Sequence, residues 1–255
     1  MATPEKSTED EEVYVPLAPP ECSHASEPLS PTENGNIVTV VVGTEFMGQR
    51  TFLVHDWLLI HYSAYFRNVL EARSGTGENV VELSGDSPKI FAAFYHFLYA
   101  RTLFSRLDFE NIPFEDSEIC HIYVFGQDHG IPQLCNAAVD LLFVKNVQTW
   151  TSSTDQLHYI YEETQEHSPL RKYMVDWVIR FYPLHPLREN ESSFPKDFLI
   201  DVIEAITAPD NKICSTTNIT SREKVDSMKL DICSKYHDHS PPRDYAPPRD
   251  YGSFL

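Results

Sequence analysis

The sequence lacks several features that would define common classes of protein. It has no run of 18 apolar residues, and residues 1–14 are polar and acidic, so we expect neither a membrane span nor a secretory signal. It is also poor in basic residues, because 20 Lys and Arg stand against 38 Asp and Glu, a formal net charge of −18. Since nucleic-acid binding needs a basic surface that releases counterions, we predict no direct contact with DNA or RNA.

Cysteine is scarce and shows no pairing pattern. The five cysteines form no C-x-x-C pair, and an odd number is typical of free thiols in an intracellular protein rather than of a disulfide framework. We therefore predict an intracellular location, in the cytoplasm or the nucleus. The cysteines are Cys22, Cys120, Cys135, Cys214 and Cys233.

One group of Cys and His residues invites a metal-site interpretation. Cys120, His121, His129 and Cys135 are of the types that bind zinc, but their spacing matches no common zinc finger. Cys135 also lies on the apolar side of a predicted helix, where Cys usually packs as a small hydrophobic residue. We predict no metal, no cofactor and no catalytic centre.

The ordered part of the chain lies between two polar ends. Residues 1–36 are rich in Pro, Glu and Ser and carry eight acids and one Lys, which predicts a disordered acidic segment. Hydrophobic periodicity fades after 207, and residues 208–255 end in a tandem PPRDY repeat, which predicts a disordered tail. With 15 Phe, 13 Tyr and 3 Trp in the chain, we expect a folded core between these ends.

Short strands and helices alternate after the first 36 residues. The β-branched run at 37–43 and the run at 49–54 predict a hairpin, and 80–83 predicts a third strand. Ser63 is a predicted helix N-cap, and Ser87, with Pro at the next position, marks the clearest helix start in the chain. The helix that follows carries an apolar stripe at helical spacing: Phe91, Phe94, Tyr95 and Leu98.

Helical patterns dominate the second half. A Gly-Ile-Pro break at 130–132 separates two predicted helices, the second running to about 144. Residues 147–207 then predict a helical extension with three apolar stripes. These stripes are Leu157, Ile160 and Tyr161; Leu170, Met174, Trp177, Val178 and Phe181; and Phe198, Val202, Ile203 and Ile206.

A series of motifs follows one another in a characteristic order. They are IVTVVVG at 37–43, F-x-V-H-x-x-L-L-x-x-x-S-x-x-F-x-x-x-L at 52–70, V-x-L at 81–83, an aromatic helix at 91–99, and Y-V-F and I-P-x-L-x-N-A-A within 123–138. In this order and spacing, residues 37–146 resemble the BTB/POZ domain in the form common in fungal proteins. The chain departs from the family in lacking the Gly that usually follows the Leu-Tyr pair at 98–99.

The resemblance implies a fold. An α/β order with local hairpins, of the α+β class, would form a short β-sheet flanked by a cluster of helices, with the extension following it. The residues that we expect to determine this fold are Phe52, His55, Leu58, Ser63, Phe66, Phe91, Leu98 and Leu134.

The resemblance also implies a function in protein–protein interaction. Family members commonly homodimerise, and many link a substrate to a cullin-type ubiquitin ligase; a scaffold or transcription-associated protein without a cullin is the alternative. The helix that pairs across the dimer in relatives contains Trp57, Ile60 and His61, which we predict at a dimer interface, with local core packing as the alternative for Trp57.

The acidic connection at 101–116 is longer than in many relatives. We predict that it binds a partner through its aromatic residues, although it lacks the hydrophobic-x-Glu motif of animal cullin adaptors. The three aromatic candidates are Phe104, Phe109 and Phe114.

A metal- or Cys/His-dependent hydrolase is the alternative of another class. His55 and Asp56 could form a general base with its orienting carboxylate in a hydrolase. The surrounding sequence has neither a Gly-rich elbow nor a nucleophile, so we predict that His55 belongs to the fold and that the protein is not an enzyme.

Overall fold

A small mixed sheet forms where the sequence predicts strands. The computed structural model describes residues 20–22, 24, 35–46, 48–73, 75, 79–104, 112–182, 191–208 and 221–241. In the sheet, β1 (Ile37–Val42) lies between β2 (Arg50–His55) and β3 (Val80–Leu83). β1 pairs with β2 antiparallel and with β3 parallel, which confirms the hairpin and the third strand and gives the predicted α+β fold.

The turn after β1 depends on glycine. Gly43 has a φ of +79°, and a Cβ at this position would lie 2.6 Å from the carbonyl oxygen of Gly48. Because L side chains rarely adopt this conformation, only glycine fits without strain. The predicted strand end at Gly43 therefore has a steric cause.

One face of the sheet lies in the hydrophobic core. Alternate residues of each strand point toward the helices, as the two-residue period of a strand requires. The buried residues of this inner face are Val38, Val40, Val42, Phe52, Val54, Val81 and Leu83.

Five helices complete the first half of the described chain. They are α1 (Asp56–Tyr62), α2 (Ala64–Ala72), α3 (Pro88–Ala100), α4 (Asp116–Asp128) and α5 (Pro132–Thr149). The predicted helix starts at Ser63 and Ser87 and the break at 130–132 are confirmed. α5 extends beyond its predicted end.

The junction between α1 and α2 is held against the end of α4. The Ser63 hydroxyl accepts a hydrogen bond from the backbone N–H of Phe66 at 3.1 Å and donates to the carbonyl oxygen of His129 at 2.7 Å. The His129 ring stacks on Phe125 and lies 3.4 Å from the carboxylate of Asp86. One buried serine thus joins two helix corners that lie 66 residues apart.

The residues expected to determine the fold lie mainly in the core. Seven of the eight are buried, and His55 is half-buried at the N-cap of α1. The stripe on α3 is buried at Phe91, Phe94 and Leu98, with Tyr95 packed at its edge.

α3 ends without the glycine that usually follows the Leu-Tyr pair in the family that the chain resembles. Arg101 is the C-cap and takes a left-handed φ of 61°, with its N–H bonded to the carbonyl of Phe97 at 2.9 Å. Its guanidinium carbon lies 4.7 Å from the centre of the Tyr62 ring, so a cation–π contact accompanies the strained backbone.

The extension contains three helices and two short 3-10 turns among its described residues. The helices are α6 (Leu157–Glu163), α7 (Pro169–Phe181) and α8 (Lys196–Thr207), and the turns are Thr154–Gln156 and Glu191–Ser193. Phe198 and Val202 of the α8 stripe are buried, but Ile203 is 61 % exposed, so this stripe is narrower than its sequence predicts.

The prediction that 208–255 is disordered is wrong for its central part. Residues Ser221–Tyr236 form a helix, α9, which packs mainly on α7 and also on α5. Its buried residues are Val225, Met228, Ile232 and Tyr236. Most of the residues between them are charged or polar, which hides the apolar stripe from a composition-based prediction. The PPRDY repeat lies almost wholly outside the described residues.

The prediction that residues 1–36 are disordered is also wrong for several residues of this segment that the structure describes. Pro20 is buried, Cys22 is half-buried, and Asn36 accepts a hydrogen bond from the backbone N–H of Asp56 at 2.9 Å. Residues 1–19 lie outside the described residues.

Among the helices that are described, none is both long and apolar enough to cross a membrane.

Candidate protein-interaction surface

The outer face of the sheet is open and partly apolar. Because residues opposite one another in adjacent strands share a face, Leu53 lies beside Thr39, and Thr39 lies beside Val80. The exposed fractions are 53 % for Ile37, 59 % for Leu53 and 43 % for Val80. No described helix covers these side chains, so they form an apolar patch at the surface.

α1 continues this surface at the end of β2. Trp57 is half-buried and packs against the backbone of Gly35, where an added Cβ would lie 2.2 Å from its ring. Ile60 is half-buried and His61 is exposed. Trp57 therefore lies beside the residues that lead into β1, two positions before Ile37.

The surroundings of His61 disfavour the charged form of its ring. Desolvation lowers its pKa below the ordinary value, and the positive charges of Arg101 and Arg67 lower it further. Arg67 is fixed by two hydrogen bonds, at 3.2 and 3.0 Å, to the carbonyl oxygen of Ile60. The exposed end of α1 is therefore bordered by cationic side chains.

The pair at His55 and Asp56 does not have the geometry of a general base and its orienting group. The Asp56 carboxylate accepts from the backbone N–H of Trp57 at 2.7 Å and from the side-chain amide of Asn36 at 3.2 Å. His55 Nδ1 instead lies 2.9 Å from the hydroxyl of Tyr99, which also accepts from the His55 backbone N–H at 3.3 Å. His55 thus joins β2 to α3.

An open groove of 690 Å³ lies between β2 and α3. Its lining combines consecutive residues of the edge strand β2 with Tyr95, His96 and Tyr99 of the helix. Because β2 is an edge strand, part of its backbone has no neighbouring strand. The lining includes Arg50, Leu53, Tyr95, His96 and Tyr99.

The aromatic residues predicted to bind a partner at 101–116 differ in their accessibility. Phe104 is only 9 % exposed, and its ring centre lies 6.3 Å from that of the half-buried Phe114. Phe109 lies outside the described residues. Lys145 of α5 donates to the carbonyl oxygen of Phe114 at 3.0 Å, which anchors the end of the connection. Of the two described aromatic rings, Phe114 offers more surface.

The Cys and His residues weighed as a zinc site serve separate packing roles. Cys120 and Cys135 are buried, and desolvation raises the pKa of both thiols. The Cys135 thiol donates to the carbonyl of Tyr123, whereas His121 is exposed and contacts Tyr159.

The fold and its exposed sheet face define an α+β interaction domain, and comparison with known families identifies which one. Residues 33–118 match the BTB/POZ domain. The chain therefore contains a BTB/POZ domain, which belongs to a family of protein–protein interaction modules. No curated protein matches the sequence significantly.

The exposed residues Ile37, Leu53 and Val80 were not among the predicted site residues. A signal was present in the run TFLVH at 51–55, where Leu53 breaks the alternation of apolar and polar residues. A strand that is apolar on both faces is typically covered on both, either by its own chain or by a partner.

Proposed function

We propose that the protein is a homodimeric adaptor or scaffold, which pairs two copies through its BTB/POZ domain and recruits other proteins. The observation that carries this proposal is the apolar outer face of the sheet, with Trp57 of α1 lying against Gly35 just before β1. Two copies related by a twofold axis would cover the same patch on each other, as an isologous interface requires. The match of residues 33–118 to a family of interaction modules supports this arrangement.

Light scattering after gel filtration tests the dimer. The wild-type chain should have twice the mass of one chain, and Leu53→Asp should raise the dissociation constant at least about tenfold, because a charge would be desolvated in the interface. Trp57→Asp should have the same effect. Leu53 is the sharper test. Its side chain is 59 % exposed in a single chain, so an Asp at this position should leave the fold of each chain intact.

Leu230→Asp provides the matched control. Leu230 is 84 % exposed on α9, far along the chain from the proposed interface, and the variant should remain dimeric. A monomeric wild-type chain would refute the dimer, and so would a Leu53→Asp variant that is folded by circular dichroism and has the same dissociation constant as the wild-type chain.

A cullin is the more specific partner that we propose for an adaptor. The half-buried Phe114, with its backbone anchored to α5, supplies a fixed aromatic contact beside the start of α4. Phe114→Asp should then abolish co-purification of a cullin from cell extract while leaving the dimer intact. Wild-type protein that recovers no cullin at native expression would favour the scaffold without a ubiquitin ligase.

We do not propose catalysis. The bonds of Asp56 to Trp57 and Asn36, and of His55 to Tyr99, account for the two residues considered as a general base pair. Recognition by the domain surface needs neither of them as an acid or a base.

A further inference from the structure

Four side chains that can bind a metal converge where the two ends of the described chain meet. Cys22 comes from the N-terminal segment, Cys233 from the last turn of α9, and His237 and His239 from the residues that follow α9. One ligand atom from each residue lies within 4.8 Å of the others. Nothing in the sequence brings Cys22 and Cys233 together, because they are 211 residues apart.

Two of the distances in this cluster are close to the edges of a tetrahedron around zinc. With Zn–S bonds of about 2.3 Å and Zn–N bonds of about 2.0–2.1 Å, two sulfurs would be about 3.8 Å apart and a sulfur and a nitrogen about 3.6 Å. The sulfurs of Cys22 and Cys233 are 3.6 Å apart, and the Cys233 sulfur lies 3.4 Å from Nε2 of His239. The protein thus holds these atoms near the spacing that a tetrahedral ion requires.

His237 supplies a second and independent indication. Its side chain is 1 % exposed, and its Nε2 lies 2.9 Å from a carboxylate oxygen of Asp140 on α5. Its other ring nitrogen, Nδ1, is buried and has no hydrogen-bond partner. Such a nitrogen carries a desolvation cost unless something binds it, and a carboxylate on the opposite nitrogen is the usual support of a metal-binding histidine.

The segment that carries both histidines is fixed from several sides. Asn136 of α5 donates to the carbonyl of Asp238 and accepts from its backbone N–H, both at 2.9 Å. Tyr236 is buried and donates its hydroxyl to Asp176 of α7. The backbone around the two histidines is therefore held by α5 and α7, and an ion would not have to order this segment by itself.

We propose that Cys22, Cys233, His237 and His239 bind one Zn²⁺ ion, with Asp140 positioning His237. Two thiolates and two imidazoles are a donor set that zinc accepts, and four protein ligands leave no open position for a substrate. The site is structural: it fastens the N-terminal segment and the end of α9 to the body of the protein. Because metal binding of this kind adds to the free energy of folding, loss of the ion would lower the stability of the protein and release the N-terminal segment from the end of α9.

Metal analysis of the full-length protein tests the site. Protein stripped with a chelator under reducing conditions and then supplied with Zn²⁺ should retain one equivalent through gel filtration. Its melting temperature should rise by roughly 10 °C when free Zn²⁺ is about a thousandfold above the dissociation constant. Co²⁺ in place of Zn²⁺ should give the visible absorption of a tetrahedral ion and a thiolate charge-transfer band.

Single substitutions then distinguish the proposed metal ligands from the residues that only lie near them. Cys22→Ser, Cys233→Ser and His239→Asn should each abolish stoichiometric binding and the rise in melting temperature. Asp140→Asn keeps all four ligands and should weaken Zn²⁺ binding about 10–100-fold, as expected for a residue that supports a ligand. His239 is exposed, so its substitution leaves folding intact and separates metal loss from unfolding.

Two control variants should bind Zn²⁺ like the wild-type chain. His24→Gln removes a ring that stacks on His239 at 4.1 Å but is not one of the four proposed ligands, and Cys135→Ala removes a buried thiol elsewhere. Absence of a bound equivalent in the folded wild-type chain would overturn the proposal. A Cys22–Cys233 disulfide found by mass spectrometry in freshly isolated protein without metal would overturn it too, as would loss of binding in His24→Gln but not in His239→Asn.

Discussion

Ser63 shows how a single side chain fixes the geometry of the BTB/POZ domain. It caps α2 by accepting from the N–H of Phe66, and it uses its own proton to bind the carbonyl of His129 at the end of α4. Two further backbone bonds run parallel to this one, from Ala64 to the carbonyl of Gly130 and from Tyr65 to that of His129. The local preference of serine for helix starts thus also serves a long-range contact.

Replacement of Ser63 by Ala should destabilise the protein measurably. The variant loses the helix cap and leaves the buried carbonyl of His129 without this donor, so we expect the free energy of unfolding to fall by about 1–3 kcal/mol. Urea unfolding followed by circular dichroism measures the change.

Ser87→Ala is the control at the other predicted N-cap. The Ser87 side chain makes no capping hydrogen bond, so this substitution should change the free energy of unfolding by less than about 0.5 kcal/mol. Equal effects of the two substitutions would contradict the role that we assign to the Ser63 hydroxyl.

At the scale of elements, local signals account for the regular structure that the sequence predicts. The β-branched run of β1, the Ser-Pro start of α3 and the break at 130–132 each specify an element through residues close in sequence. Such signals reach only as far as the element itself. Leu53 marks β2 as apolar on both faces, but which face the helices leave open depends on tertiary structure.

α9 was missed because its apolar residues are few and widely spaced. Val225, Met228, Ile232 and Tyr236 recur at intervals of three and four residues, but the other twelve positions of the helix include seven charged residues. The helix is therefore stabilised by packing against α7 and α5 rather than by its own composition. Likewise, the proposed metal ligands Cys22 and Cys233 come together only in the tertiary structure, so no local sequence pattern predicts them.

Met228→Ala tests whether α9 belongs to the core. Met228 is fully buried, so its truncation should create a cavity and lower the free energy of unfolding by about 2–5 kcal/mol. Leu230→Ala, on the exposed side of the same helix, should change it by less than about 0.5 kcal/mol. Chemical denaturation of both variants gives the comparison, and similar values for the two would place α9 outside the folded unit.

At the scale of the whole molecule, the BTB/POZ domain and the helices after it share one hydrophobic core. A single cluster of buried residues runs from Val38 in β1 to Tyr236 in α9. Polar contacts also join the two parts. The Ser153 hydroxyl lies 2.7 Å from the carboxylate of Asp116 and 2.8 Å from the side-chain oxygen of Asn146, and its one proton is shared between these acceptors. Asn146 in turn donates to the hydroxyl of Tyr173. The domain and the extension should therefore unfold together.

Tryptophan fluorescence can follow each part separately, because Trp57 lies in α1 and Trp177 in α7. One variant, W150F/W177F, keeps only Trp57, and a second, W57F/W150F, keeps only Trp177. In each variant the urea midpoint from fluorescence should equal the midpoint from circular dichroism, since a shared core leaves no stable intermediate with one part unfolded. If Trp177 reported a lower midpoint than circular dichroism in its own variant, the extension would be a separate folding unit. The continuous core would then be only a docking contact between two units, and Ser153 and Asn146 would belong to an interface between them.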